Sequence, residues 1–241
     1  MGGLLVNKII FILMLMVTST HYAYASIVIS GTRLIYPGKE KEVSITLSNS
    51  GDAPVLMQAW LDNGNELSPP QDIDSHFFMT PPLARIDEGK SLSLRVFKTD
   101  SVADLPNDRE SLFYLNILDI PPDNNTKKAD GAEVQFTVRS RIKFFYRPDG
   151  LSGSANNAPE NLVFKKNNGE IIIENPSPYY INLSAVSAGD NKNSVNLLTY
   201  EIIKPFSSIQ IKRVEDSFDY IYYESINDLG GIFNFKKKIS K

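Results

Sequence analysis

The chain has 241 residues, with 25 Lys and Arg against 28 Asp and Glu, two His and no Cys. A net charge of −3 gives no overall attraction to nucleic acid or anionic lipid, so any basic site must be local. The lack of cysteine excludes disulfides and thiolate metal sites, and leaves hydrophobic packing to supply stability.

The first 25 residues read as an export signal. Lys8 is the only charged residue before an apolar run at 9–17, and Ala-Tyr-Ala at 23–25 gives the small-x-small pattern of a signal-peptidase site. The run is about half the roughly 20 residues that a spanning helix needs. Cleavage after Ala25 would leave 216 residues beginning at Ser26, with 24 basic and 28 acidic side chains.

Beyond Ala25, short runs rich in Val, Ile, Phe and Tyr recur at 43–47, 55–61, 92–97, 112–120, 134–146, 171–174, 179–186, 209–213 and 220–226. Gly, Pro, Asn and Asp separate them about every 8–12 residues, the spacing of β-sandwiches. No stretch keeps a helical period over three turns, so the fold is read as all-β. A cluster of breakers, Pro-Asp-Gly-Leu-Ser-Gly-Ser-Ala-Asn-Asn-Ala-Pro at 148–159, marks a boundary. The expected organisation is a signal peptide at 1–25, one sandwich at 26–148, a linker at 149–159 and a second sandwich at 160–241.

The segment at 133–148 is the most informative. It opens in strict alternation, with Val134, Phe136 and Val138 on one face and Glu133, Gln135 and Thr137 on the other. It then gains Arg139, Arg141, Lys143 and Arg147 before Pro148 ends it. A strand with an apolar row and a cationic end suits the docking of an extended foreign segment. Lys143 has the opposite parity to the apolar row, so a bulge, or a cleft wrapping the strand's edge, would be needed to bring the two together.

Catalytic chemistry is poorly served. His76 is the sole histidine after Ala25, and it can assemble neither a zinc site nor a conventional triad. No Gly-x-Ser-x-Gly elbow, His-Glu-x-x-His helix or phosphate-cradling loop occurs. No catalytic residue, metal, cofactor or small-molecule substrate is therefore expected.

Arg33 and Lys143 each lie among aromatic and β-branched residues, where a cation is ordinarily a snorkelling edge residue. The sharper reading is a pair converging on a carboxylate, Arg by bidentate hydrogen bonds and Lys as a point charge. Glu110, Arg147 and Asp228 also sit in hydrophobic settings and read, singly, as surface charges.

The ordered motifs resemble the periplasmic PapD-like chaperones of the chaperone–usher pathway. They are Gly-Thr-Arg-Leu-Ile-Tyr-Pro at 31–37, Thr-Pro-Pro at 80–82, Arg-Ile-Asp-Glu-Gly at 85–89 and Leu-Pro-Asn-Asp-Arg-Glu-Ser-Leu-Phe-Tyr at 105–114. Asp-Ile-Pro-Pro at 119–122 and Arg-Ser-Arg-Ile-Lys-Phe-Phe-Tyr-Arg-Pro at 139–148 follow. Glu-Asn-Pro-Ser-Pro-Tyr-Tyr at 174–180, Pro-Phe-Ser-Ser at 205–208 and Ile-Asn-Asp-Leu-Gly-Gly at 226–231 complete the set.

The resemblance implies two immunoglobulin-like sandwiches in an L with a cleft between them. It further implies binding to pilus (fimbrial) subunits whose own immunoglobulin-like fold lacks a strand, and delivery to an outer-membrane usher without nucleotide. Val134, Phe136 and Val138 would fill the subunit's groove by donor-strand complementation. Arg33 and Lys143 would hold its C-terminal carboxylate, and Glu110, Arg147 and Asp228 would form an internal salt-bridge cluster setting the interdomain angle. A self-capped homo-oligomer is compatible with the same donor edge. The competing reading is a secreted two-domain immunoglobulin-like binding module or a structural pilus component. The loop at 121–131 lacks the cysteine pair of long-loop relatives, which favours the short-loop class.

Overall fold

A computed structural model describes residues 26–67, 69, 76–122, 136–167, 169–189, 195–211 and 218–239. The signal-peptide residues, Val134 and most of the loop at 121–131 lie outside this set. No helix among the described residues is long and apolar enough to cross a membrane.

The first sandwich contains β1 (Ile27–Ile29), β2 (Arg33–Pro37), β3 (Glu42–Asn49), β4 (Val55–Asp62), β5 (Phe77–Thr80), β6 (Leu83–Ile86), β7 (Ser91–Lys98), β8 (Ser111–Ile120) and β9 (Val138–Arg147). One sheet has the order β1-β3-β7-β5 and the other β2-β9-β8-β4-β6. The chain changes sheets repeatedly over short distances. Ser30, Gly31 and Thr32 carry it from β1, antiparallel to β3, to β2, parallel to β9. A cis Thr80–Pro81 bond lies between β5 in one sheet and β6 in the other.

The alternation read in the sequence does its expected work. In β3, Ile45 and Leu47 are buried while Ser44 and Thr46 are exposed. Between the sheets, Tyr36, Phe77, Phe113 and Phe144 form an aromatic centre, with Phe77 and Phe144 edge-on at 4.8 Å. Each such side chain contributes about 1.5–3 kcal/mol by leaving water.

The second sandwich contains β10 (Val163–Asn167), β11 (Glu170–Asn175), β12 (Ile181–Ala188), β13 (Val195–Ile203), β14 (Ser207–Ile211), β15 (Tyr220–Ile226) and β16 (Ile232–Lys238). Its sheets have the orders β10-β11-β14 and β13-β12-β15-β16. Ile171, Ile173, Val186 and Ile221 are fully buried between them. Leu151 and Ala155, in the breaker-rich segment at 148–159, pack against this second core, and Ala158 is part of it.

The fold is thus all-β, two immunoglobulin-like sandwiches each with its own core. Polar contacts join them: the Glu110 amide donates to Pro178 O at 2.9 Å, and the Arg109 guanidinium stacks on Phe206 at 5.0 Å. The Phe145 and Tyr180 rings meet at 5.8 Å.

One strand differs from its sequence reading. The alternation predicts a strand from 134, yet the β9 ladder begins at Val138 opposite Asp119. Phe136 and Thr137 precede it, exposed.

Candidate functional site: a free strand edge ending on two cations

Strand β9 pairs with β8 in unbroken register, from Val138 opposite Asp119 to Tyr146 opposite Ser111. There is no bulge in this ladder, so the parity difference of Lys143 is real and the two rows face opposite ways. Val138, Ser140, Ile142, Phe144 and Tyr146 share one face. Phe144 is fully buried in the first core, and Ile142 and Tyr146 pack against it. The row then runs out past the sandwich, with Val138 40% exposed and Phe136, beyond the ladder, 77% exposed. The apolar row is the core row of the strand carried beyond its own core.

The other face carries Arg139, Arg141, Lys143 and Arg147, and three of these cations have internal partners. Arg139 donates to Glu66 O at 2.8 Å and lies over Trp60. Arg141 makes a two-point contact with Asp62, at 2.6 and 3.0 Å, and stacks on Tyr114 at 3.7 Å. Asp62 is itself buried and accepts from Asn116 at 2.7 Å and from the Gly64 amide at 2.8 Å.

Arg147 donates from Nε to Glu110 at 2.7 Å and from both terminal nitrogens to Asp228 at 2.8 and 3.0 Å. The second Glu110 oxygen accepts the Tyr180 amide at 2.8 Å. Glu110 belongs to the first sandwich and Asp228 and Tyr180 to the second, so the three sequence-predicted residues meet at the junction. Burial pushes the Glu110 carboxyl above its ordinary range while Arg147 and the Tyr180 amide pull against it. Arg147 is held well above the usual arginine value, the carboxylates outweighing the opposing effect of burial.

Lys143 is the exception: no acid or hydrogen-bond acceptor among the described residues meets its ammonium. Its partner in the parallel ladder is Arg33, whose Cα lies opposite its own. Arg33 donates once, to Ile226 O at 3.2 Å, and its Nε is buried with no partner among the described residues. Burial pushes both cations below their ordinary values. Arg33 adds to the effect on Lys143, and Asp228 offsets part of it on Arg33. Two half-buried positive charges thus stand side by side at the start of β2.

The ladder ends at that pair. β2 covers β9 only from Lys143 to Arg147. From Val138 to Ile142 the β9 edge away from β8 has no strand partner among the described residues. An uncovered edge of this kind is a template for an added strand.

Nothing in the sequence pointed to the Asp62–Arg141–Asn116 network. Asp62 sits in Leu-Asp-Asn-Gly-Asn, which reads as a turn, and lies 79 positions from Arg141. His76 stands just before β5, its ring 5.9 Å from Phe113. Among the described residues no group of three His, Asp or Glu could hold a metal ion.

A strand edge left open up to two neighbouring half-buried cations is a surface suited to an added strand. Residues 26–152 match the family "Pili and flagellar-assembly chaperone, PapD N-terminal domain", and residues 157–236 match "Pili assembly chaperone PapD, C-terminal domain". The chain is 42% identical over 221 residues to Chaperone protein FimB/FhaD of Bordetella pertussis, covering 90% of each. The crystal structure of the YadV chaperone matches with a TM-score of 0.74 at 33% identity, over 89% of this chain and 100% of that one. The SafB chaperone in complex with SafA pilin, from Salmonella enterica, gives a TM-score of 0.76 at 25% identity, over 91% and 99%. The chain belongs to the PapD family of pilus-assembly chaperones.

Proposed function

We propose that this chaperone acts in the periplasm, after cleavage behind Ala25, on pilus subunits whose immunoglobulin-like fold lacks a strand. Its domains span 26–148 and 160–241 about the connecting segment at 149–159. It lends the row Val134, Phe136 and Val138 to the subunit's groove, holds the subunit's C-terminal carboxylate with Arg33 and Lys143, and passes the subunit to an outer-membrane usher. Glu110, Arg147 and Asp228 brace the two domains. The work is binding, with no catalytic group, metal or nucleotide.

The observation that carries the reading is the termination of β2 at Arg33, opposite Lys143. A foreign strand laid along β9 from Val138 to Ile142, parallel to it, would be collinear with β2. Its C-terminus would then arrive at the two cations. Laid antiparallel, it would bring a positive N-terminus there and be repelled. The charge pair therefore selects the direction and the register. Register matters because a slip of one residue turns the donated row away from the groove.

The energies are adequate. Each donated side chain contributes about 1.5–3 kcal/mol when covered. A charge-assisted bond to the carboxylate adds about 1.5–3 kcal/mol. The sum must exceed the ordering and association costs.

Affinity capture from a periplasmic extract tests the reading. The wild-type chain should retain a subunit of immunoglobulin-like fold, and Arg33→Ala and Lys143→Ala should lose it without a fall in melting temperature. Capture of that subunit at wild-type strength by both variants would remove the carboxylate clamp from the mechanism.

A further inference from the structure

We infer that the N-terminus created by cleavage is a structural ligand of the first sandwich. The α-ammonium of Ser26 pairs with the buried Asp119 carboxylate, so the open end of β9 is fully braced only in the processed chain. The inference rests on the cleavage behind Ala25 proposed above and goes beyond it.

Asp119 continues the core-facing row of β8, after Phe113, Leu115 and Ile117, and is only 6% exposed. Its Oδ2 accepts the Ser26 N–H at 3.0 Å and the Ile27 N–H at 3.2 Å. Its Oδ1 is buried with no hydrogen-bond partner among the described residues. No Lys or Arg among them forms an ion pair with this group. A carboxylate buried so deeply is costly to hold against two neutral amides.

The Ser26 nitrogen is the neighbour that can acquire a positive charge. In hydrolysis of the 25–26 bond, the water oxygen bonds to the Ala25 carbonyl carbon and the C–N bond breaks. The signal peptide leaves with a carboxylate, and both protons of the water end on the Ser26 nitrogen. An α-amino group of ordinary value, about 7.7–8.0, is then mostly charged at neutral pH. It offers three N–H donors where the amide had one, enough to serve both Asp119 oxygens.

The surroundings hold this nitrogen in place. Ser26 O accepts the Ser50 amide at 2.7 Å and the Ser50 hydroxyl at 3.3 Å. Gly51 lies so close that a Cβ there would stand 3.1 Å from the Ser26 Cβ. Ser26 leads into β1 in one sheet and Asp119 belongs to β8 in the other, so the pair ties the two sheets. Asp119 is also the register partner of Val138. The tie therefore lies at the rung where the β9 ladder starts and its open edge begins.

The test begins with the intact mass of the chain purified from the periplasm, which should correspond to a start at Ser26. A different start would remove the cleavage reading, and the inference with it. Semi-synthetic mature chains with a free or an acetylated Ser26 nitrogen are then compared, because acetylation keeps one N–H and removes the charge. Acetylation should lower the melting temperature by roughly 4 °C or more and speed hydrogen exchange at 138–142. In Asp119→Asn it should change the melting temperature by less than about 1 °C. No loss in wild type, or an equal loss in both backgrounds, would overturn the inference and leave the cleavage standing. A measurement on the wild-type chain needs no variant to fold: the ammonium nitrogen should show a coupling through the hydrogen bond to the Asp119 carboxyl carbon. Absence of that coupling would also overturn the inference.

Discussion

Arg33 and Lys143 are register partners across the parallel β2–β9 ladder, two cations placed side by side with no acid among the described residues to neutralise the lysine. Like charges directly opposite in a sheet destabilise it by about 0.2–1 kcal/mol, and partial burial adds to that. The fold keeps an arrangement that weakens it, which is the pattern of a functional site. Lys143→Met should therefore raise the melting temperature by a few degrees, since about 1 kcal/mol shifts a chain of roughly 150–250 residues by about 2–4 °C. The same substitution should abolish subunit capture. A lower melting temperature would mean that the pair stabilises the free protein.

The depressed Lys143 value also gives subunit binding a pH dependence. A bound carboxylate favours the charged ammonium, so the lysine titrates higher in the complex than in the free chain. Affinity should therefore depend on pH. It should fall as pH rises through the lowered free value, beginning below the usual lysine pKa of about 10.4. Calorimetry in buffers of different ionisation enthalpy should show proton uptake on binding in that range. Lys143→Arg should remove the dependence, because its guanidinium stays charged.

Much of the fold was legible because it is local. The runs at 43–47, 55–61 and 220–226 fall within β3, β4 and β15, and β3 and β15 bury alternate residues. The short strands β1, β2, β5 and β6 were not readable from periodicity, since three to five residues are too few to establish a period. The Arg33–Lys143 meeting depends on a parallel pairing between segments 110 positions apart, which no spacing rule reveals. The charges on β9 show the limit most clearly. Arg139, Arg141, Lys143 and Arg147 look alike in the sequence, and among the described residues Asp62, Glu66, Glu110 and Asp228, supplied by distant segments, fix three of them and leave Lys143 without an acid.

The junction gives a prediction of large size. Arg147→Ala would leave the buried Glu110 carboxylate with the Tyr180 amide alone, and breaking a buried pair in this way costs about 3–5 kcal/mol. Burial already raises the Glu110 value, and loss of Arg147 removes the main opposing force. An acid whose folded value is raised adds stability at pH below its unfolded value of about 4.3, and loses it as pH rises through the folded value. The deficit of Arg147→Ala should thus be largest at neutral pH and shrink in acid. Urea unfolding of wild type and variant across this range measures it, and a deficit independent of pH would mean that Glu110 is not the group left stranded.

Asp62 and Arg141 give a prediction of the opposite pH sign. Burial tends to raise the Asp62 carboxyl, but hydrogen bonds from Arg141, Asn116 and the Gly64 amide outweigh it and hold the group below its ordinary value. A depressed carboxylate contributes stability that is present above its unfolded value of about 3.9 and is lost as pH falls through the folded value. Asp62→Asn keeps the shape and removes the charge, so it should cost about 2 kcal/mol at pH 7, within the range for hydrogen bonds to charged groups. Wild type and variant should converge in stability below the carboxylate range. Because Arg141 lies on β9 beside the free edge, the substitution should also speed hydrogen exchange along that strand. It should leave the second sandwich, whose core contains neither residue, unchanged. Equal exchange in both proteins would show that the strand is held by its β8 ladder alone, and that the Asp62 contact stabilises the sandwich without shaping the edge it offers.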